Sequence, residues 1–151
     1  MNKFDLKFLK ENDESDWVHL IDENIRHKPP SEWSQEEKIF YSIMFWHSCM
    51  SAGFSEYYKF CDNSISMNKI EESLKIIEAD EYFKVIQQAN SINKNIINIP
   101  EEERENDELM EPYYDKLRDL ENKFYDLQEE IPLKDILFKY VKKNIEQFVE
   151  I

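Results

Sequence analysis

One row of residues in this chain has types and spacing that could bind a metal ion: Asp16, His19, Glu23 and His27. On a helix, their spacing of i, i+3, i+7 and i+11 would place two imidazoles and two carboxylates on one face. A zinc or di-iron site also needs ligands from a second element, and no other Glu-x-x-His or His-x-x-x-His pair completes this row. The sequence therefore predicts no metal centre and no cofactor.

Other catalytic patterns are also missing. His47 and Cys49 are two positions apart, so on a helix they face different directions and do not predict an activated thiol. A single glycine in 151 residues excludes the loops G-x-G-x-x-G, G-x-x-x-x-G-K and G-x-S-x-G. Nothing singles out two of the many acids as a glycosidase pair. We therefore expect no catalytic residue and a protein that is not an enzyme.

The strongest compositional feature is negative charge. The chain has 33 Asp and Glu against 19 Lys and Arg, a net charge of −14 with histidine neutral. Such a chain repels nucleic acid and anionic membrane surfaces, and it attracts basic proteins. We therefore expect a basic protein partner and no direct binding to nucleic acid.

Three further features concern location. The longest nearly apolar run, residues 39–46, is far shorter than the ~20 residues that cross a bilayer. Residues 1–16 gain charge where a signal peptide needs an apolar region. Cys49 and Cys61 have no C-x-x-C spacing, which favours two buried thiols in a reducing compartment. The sequence thus predicts a cytoplasmic protein that does not bind membranes.

The elements that must position any functional residue are helices. One glycine and five prolines leave little material for hairpins, and apolar residues recur at helical spacing. We expect an all-α fold, a single compact domain of about six to eight helices over residues 1–151. Ser34 and Glu37 form a capping box before a central helix, and Asp80 is expected to cap a later one after a tight corner. Gly53 predicts a turn with positive φ.

The acidic residues concentrate in one segment. Residues 101–130 hold thirteen acids and four bases, a local balance of −9. Pro112 suits the first position of a helix, so we predict an acidic loop over residues 97–112 and then a helix. Its apolar row comprises Tyr113, Leu117, Leu120, Phe124 and Leu127, with carboxylates opposite at steps of about 6 Å. The predicted partner-binding residues are Glu101, Glu102, Glu103, Glu105, Asp107, Glu108, Glu111, Asp115, Asp119, Asp126, Glu129 and Glu130.

The order of three helical segments, residues 37–60, 66–89 and 120–148, resembles a largely uncharacterised family of all-helical bacterial domains that includes an acidic DNA-mimic protein. The resemblance covers about residues 34–148 and leaves residues 1–33 as an N-terminal extension. The first helix of that family ends in a pattern like N-G-G-F-x-Q-Y-F-x-N, where this chain has S-A-G-F-S-E-Y-Y-K-F. Gly53, Phe54 and Tyr57 match this pattern and Tyr58 is a like-for-like aromatic, so the resemblance implies a structural role for these four residues. The positions where the pattern has Asn, Gly, Gln and Asn are replaced by Ser51, Ala52, Glu56 and Phe60.

The resemblance also implies a type of function. The characterised member is a dimeric DNA mimic that occupies the DNA-binding surface of a transcriptional regulator, so homodimerisation is expected from the resemblance alone. The alternatives are a charged face that only keeps the protein soluble, and an immunity-type protein that neutralises a toxin such as a nuclease. In an immunity-type protein, aromatic anchors such as Tyr113 or Tyr114 would matter more than the acids.

Overall fold

The computed structural model describes residues 4–61 and 67–150, apart from the side chains of residues 60 and 61. Within these ranges the chain is all-α, as the sequence predicted, with eight α-helices and no β-strand. The helices are α1 (Leu6–Lys10), α2 (Trp17–Arg26), α3 (Gln35–Cys49), α4 (Phe54–Glu56), α5 (Met67–Ile76), α6 (Asp80–Ile97), α7 (Asp107–Glu130) and α8 (Leu133–Lys143). A π-helical turn, Tyr57–Cys61, continues α4.

Helix α3 lies at the centre of the fold and packs against α2, α5 and α8. The predicted capping box is confirmed: Ser34 Oγ accepts a hydrogen bond from Glu37 N (3.1 Å), and Glu37 Oε1 accepts one from Ser34 N (3.0 Å). These two bonds satisfy backbone donors that the start of a helix otherwise leaves unpaired. Phe40 and Trp46 have no exposed surface. The first helix of the family-like region is therefore the core around which the others pack.

Helices α5 and α6 meet at the predicted tight corner. Glu78 has φ +63°, and Ala79 N donates to Leu74 O (2.9 Å), which is the long bond of a Schellman turn. The expected cap at Asp80 is wrong, because Ala79 occupies the N-cap position and no side chain caps α6. The Schellman turn leads directly into α6, so Asp80 lies in the first turn of that helix. Its negative charge there interacts favourably with the helix dipole.

Helix α7 begins at Asp107 rather than at Pro112. The side chain of Asn106 accepts a hydrogen bond from Leu109 N (3.3 Å) and caps the helix. Pro112 therefore lies inside α7, although it has no N–H to donate to the preceding turn. The predicted loop of residues 97–112 is shorter in the structure, because α6 ends at Ile97 and residues 107–112 belong to α7.

The N-terminal segment packs on the same core as the rest of the chain. Leu9 of α1 and both Ile21 and Ile25 of α2 have no exposed surface. The ring of Trp17 meets Phe138 of α8 edge-on, with 5.9 Å between centroids. This shared core supports the organisation as one domain with an N-terminal extension, which stays a prediction.

Two further observations bear on location. No helix within the described ranges has both the length and the apolar character needed to span a bilayer. The expected thiol at Cys49 is wrong, because Cys49 is disulfide-bonded, and the side chain of Cys61 lies outside the described residues. Disulfides are rare in reducing compartments. The cysteines therefore do not support the location predicted from the sequence.

Candidate protein-binding surface

Helix α7 turns one face to the core and the opposite face to solvent. Leu117, Leu120 and Phe124 of the predicted apolar row are buried, and the two end members of the row are half-buried. Phe124 meets Trp46 of α3 edge-on, with 5.2 Å between centroids, and α7 also packs along α6. A helix held by one apolar stripe must present its opposite side to water. The α7 side chains opposite the apolar row therefore point into solvent.

All twelve predicted partner-binding acids are exposed. We call this set the acidic face. Four of its members lie in and beside the 3-10 turn before α7, and eight lie on α7: Glu101, Glu102, Glu103 and Glu105, then Asp107, Glu108, Glu111, Asp115, Asp119, Asp126, Glu129 and Glu130. The 24 residues of α7 span about 36 Å at 1.5 Å per residue. The carboxylates therefore run along the whole length of the longest helix described.

The bases of the same segment neutralise little of this charge. Arg104 turns away to the end of α6, where its Nε and one terminal nitrogen donate to the carbonyls of Ile99 and Ile97, both at 2.8 Å. Arg118 pairs with Asp115 at 3.3 Å on the exposed surface, and such pairs are individually weak. The use of Arg104 as a helix cap was not predicted, because it depends on how the turn folds back on α6.

The thirteenth acid of the segment, Glu121, points toward the corner after α3 instead of into solvent. Its Oε1 accepts a hydrogen bond from Phe54 N at 2.8 Å, although the two residues are 67 positions apart. A methyl group on Gly53 would lie 2.5 Å from that same oxygen. Beside it, Tyr125 donates from its hydroxyl to Met50 O at 3.0 Å. Burial, and to a smaller extent the Glu121 carboxylate, raises the pKa of Tyr125.

The four motif residues surround the same corner. Gly53 has φ +90°, which confirms the predicted positive φ. Phe54 and Tyr57 have no exposed surface, and half-buried Tyr58 donates to Asn90 Oδ1 of α6 at 2.7 Å. The Tyr58 bond joins this corner to α6 and the bond from Phe54 N to Glu121 joins it to α7, so these contacts support the structural role predicted for the motif.

The histidine row does not form a site. His19 and Glu23 are exposed on α2, while Asp16 precedes that helix and His27 follows it, both exposed. No cluster of three or more His, Cys, Asp or Glu is placed to hold a metal ion in residues 4–61 or 67–150. His47 is half-buried, and burial followed by the charge of Lys134 lowers its pKa.

Besides the role of Arg104, sequence reasoning missed two features of this surface. The start of α7 could have been found, because Asn106 followed by two acids is typical of a capped helix N-terminus. No local pattern in the sequence predicts that Glu121 points inward. It lies beside the apolar row of α7, and it becomes an acceptor only because the fold brings Phe54 N next to it.

Comparison with known proteins identifies one relationship. A family model described as DMP19-like protein matches residues 31–144, which is more than half of the chain. No curated protein and no solved structure matches. The match covers α3 to α8 and so includes both the corner at Gly53 and the acidic face. The chain therefore belongs to the DMP19-like protein family.

Proposed function

We propose that this chain is a non-enzymatic interaction protein whose acidic face imitates DNA and occupies the nucleic-acid-binding surface of a basic protein, such as a transcriptional regulator. The observation that carries the proposal is the exposure of all twelve carboxylates along α7 and the turn before it. Membership of the DMP19-like family supports it, because DMP19 is a DNA mimic protein.

The charge density of the acidic face supports the same function. A duplex turn of about 34 Å carries about twenty phosphate charges. The acidic face has twelve carboxylates along a helix of similar length and the adjoining turn, and only three bases of the segment point to solvent: Lys116, Arg118 and Lys123. Its density is lower than that of DNA but of the same order. Lysines and arginines that contact phosphates could therefore contact these carboxylates.

Salt dependence gives the first test. Exposed charges are screened over about 8 Å at physiological ionic strength. Affinity capture from a native cytoplasmic extract, followed by washing at low and at high salt, should release the bound basic protein steeply as salt rises. A partner retained equally over a broad range of salt concentration would contradict the proposal.

Charge reversal gives the second test, with a matched control. The triple variant Asp115→Lys, Asp119→Lys and Asp126→Lys reverses the middle and end of the acidic face, and capture of the partner should be lost even at low salt. The control variant reverses three exposed acids elsewhere, Glu11, Glu23 and Glu72, and so has the same net charge. Capture should survive in the control, because the proposal depends on where the charge lies rather than on its total.

One observation favours the alternative of an immunity-type protein. Tyr114 exposes 41% of its surface beside the acidic face, whereas Tyr113 is half-buried. Exposed tyrosines are frequent energetic anchors of tight protein interfaces. A salt-resistant complex with a single toxin that is weakened more by Tyr114→Ala than by the triple reversal would favour this alternative over DNA mimicry.

A further inference from the structure

A groove of about 640 Å³ lies between the end of α5, the turn that joins α7 to α8, and one side of α8. Four isoleucines line it: Ile76, Ile77, Ile131 and Ile136. Ile76 and Ile131 expose 50% and 55% of their surface. Small-molecule sites have volumes of roughly 300 to 1,000 Å³ and mostly apolar linings. The groove therefore has the size and lining of such a site.

Two lysines of α8, Lys139 and Lys143, line the same groove. They are one turn apart, so their side chains leave the helix on the same side, about 6 Å apart along its axis. Among the described residues, neither forms an ion pair. By contrast, the intervening Lys142 pairs with Glu14 at 3.2 Å and lies over the ring of Phe138. The groove thus combines apolar walls with two ammonium groups that form no ion pair with a described carboxylate.

The charge of this lining is opposite to that of the protein as a whole. Glu78, held with φ +63° at the end of the α5 turn, is the one carboxylate of the lining. Two lysines and one glutamate give the groove a net charge of +1, on a chain of net charge −14. The net charge of the molecule repels an anion, whereas the net charge of this lining attracts one.

We propose that this groove binds a small amphipathic anion, a molecule with an apolar body and one carboxylate or sulfonate. The anionic group lies between Lys139 and Lys143, and the isoleucines cover the apolar body. Burial of the exposed isoleucine surface and of the ligand supplies the affinity. The two ammonium groups select the charge of the ligand. This site is independent of the acidic face and of the proposed function.

Fluorescence titration with 8-anilinonaphthalene-1-sulfonate tests the proposal, because this probe is itself an apolar body with one sulfonate. The folded protein should bind one probe molecule, and decanoate should displace it. Decylammonium, which has a chain of the same length and the opposite charge, should displace it at least tenfold less effectively. No binding to the folded protein, or equal displacement by both chains, would overturn the proposal.

Variants locate the probe. Lys139→Gln with Lys143→Gln should raise the dissociation constant at least tenfold, while Lys142→Gln, next to them but engaged with Glu14, should leave it unchanged. Ile131→Glu places a carboxylate in the groove and should abolish binding. All four positions are exposed, so far-ultraviolet circular dichroism should show the same helix content throughout. Equal binding by the double lysine variant and by Lys142→Gln would show that the probe binds elsewhere and would refute the site.

Discussion

Gly53, the only glycine of the chain, lies at a position with two requirements, and glycine is the residue type that satisfies both. Its φ of +90° lies in a region that side chains rarely adopt. Its missing side chain also lets the Glu121 carboxylate reach Phe54 N, since a Cβ would lie 2.5 Å from Glu121 Oε1. The sequence predicted the first requirement, and only the packing of α7 reveals the second.

We expect Gly53→Val to lower the free energy of unfolding by roughly 1 to 3 kcal/mol, the usual cost of a strained backbone conformation. Urea unfolding followed by circular dichroism measures the change. Ala52→Ser at the exposed neighbouring position is the control and should stay within about 0.5 kcal/mol of the parent. Folded Gly53→Val protein should still bind its partner. Parent-like stability would show that the turn does not require glycine.

Glu121 and Glu111 have the same charge on the same helix but different environments. Glu121→Ala removes the acceptor of Phe54 N, and we expect a loss of about 1 to 2 kcal/mol of stability. Glu111→Ala removes the same charge from an exposed position beyond the first turn of α7 and should change stability by less than about 0.5 kcal/mol. Chemical denaturation of both variants separates the loss of a cap from the loss of charge. Equal effects would mean that the hydrogen bond to Phe54 contributes nothing.

Tyr82 predicts a dependence of stability on alkaline pH. Its hydroxyl lies 2.7 Å from Ile131 O, and burial raises the pKa of Tyr82 from 10.0 to about 12. The folded state therefore keeps the proton after the unfolded state has lost it. This contribution is complete below pH 10 and is lost as the pH rises toward about 12. Over this pH window the free energy of unfolding should fall less steeply for Tyr82→Phe than for the parent. Equal slopes would contradict the raised pKa of Tyr82.

At the scale of elements, α7 shows how two local signals can compete. Pro112 is favourable at the first position of a helix, and this suggested that the helix starts there. Asn106 and the acids after it also mark a helix start, and this signal prevails. Met110, between the two signals, has no exposed surface. Burial of Met110 extends the helix to Asn106 and outweighs the hydrogen bond that Pro112 cannot donate.

We therefore expect Pro112→Ala to stabilise the protein by about 1 kcal/mol or more, because alanine restores the missing N–H inside α7. Pro132→Ala is the matched control. Pro132 precedes α8 with φ −53°, which suits proline, so its replacement should slightly destabilise by freeing the unfolded chain. Thermal unfolding of the two variants should shift in opposite directions. A loss of stability in Pro112→Ala would show that the ring stabilises α7 in a way that its position does not indicate.

At the scale of the whole molecule, negative charge is concentrated in one part of the chain, whereas the core is built from nearly all of it. The net charge of −14 is concentrated in residues 101–130, whose local balance is −9. The core draws on nearly the whole described chain, including α1 and α2, which precede the family match. The N-terminal segment is therefore expected to act on stability rather than on the acidic face.

Deletion of residues 1–33 tests this division. It removes Leu9, Ile21 and Ile25, each fully buried, and burial of one such side chain is worth roughly 1.5 to 3 kcal/mol. The sum approaches the total stability of an ordinary domain, about 5 to 15 kcal/mol. We expect the shortened chain to unfold at much lower urea concentration, and a separate peptide of residues 1–33 should restore part of the loss. A shortened chain with the stability of the parent would mark these residues as dispensable.

The sequence by itself determined what depends on neighbours along the helix. The all-α class, the Ser34 and Glu37 capping box, the buried row of α7 and the exposure of the twelve acids all follow from periodicity and capping, which act over three or four positions. Tertiary structure alone decided which acid caps the corner at Phe54, which arginine caps α6, and which isoleucines line one groove with two lysines of α8. Those outcomes depend on which helices meet, because their contacts join residues that are far apart in the chain and carry no local signal.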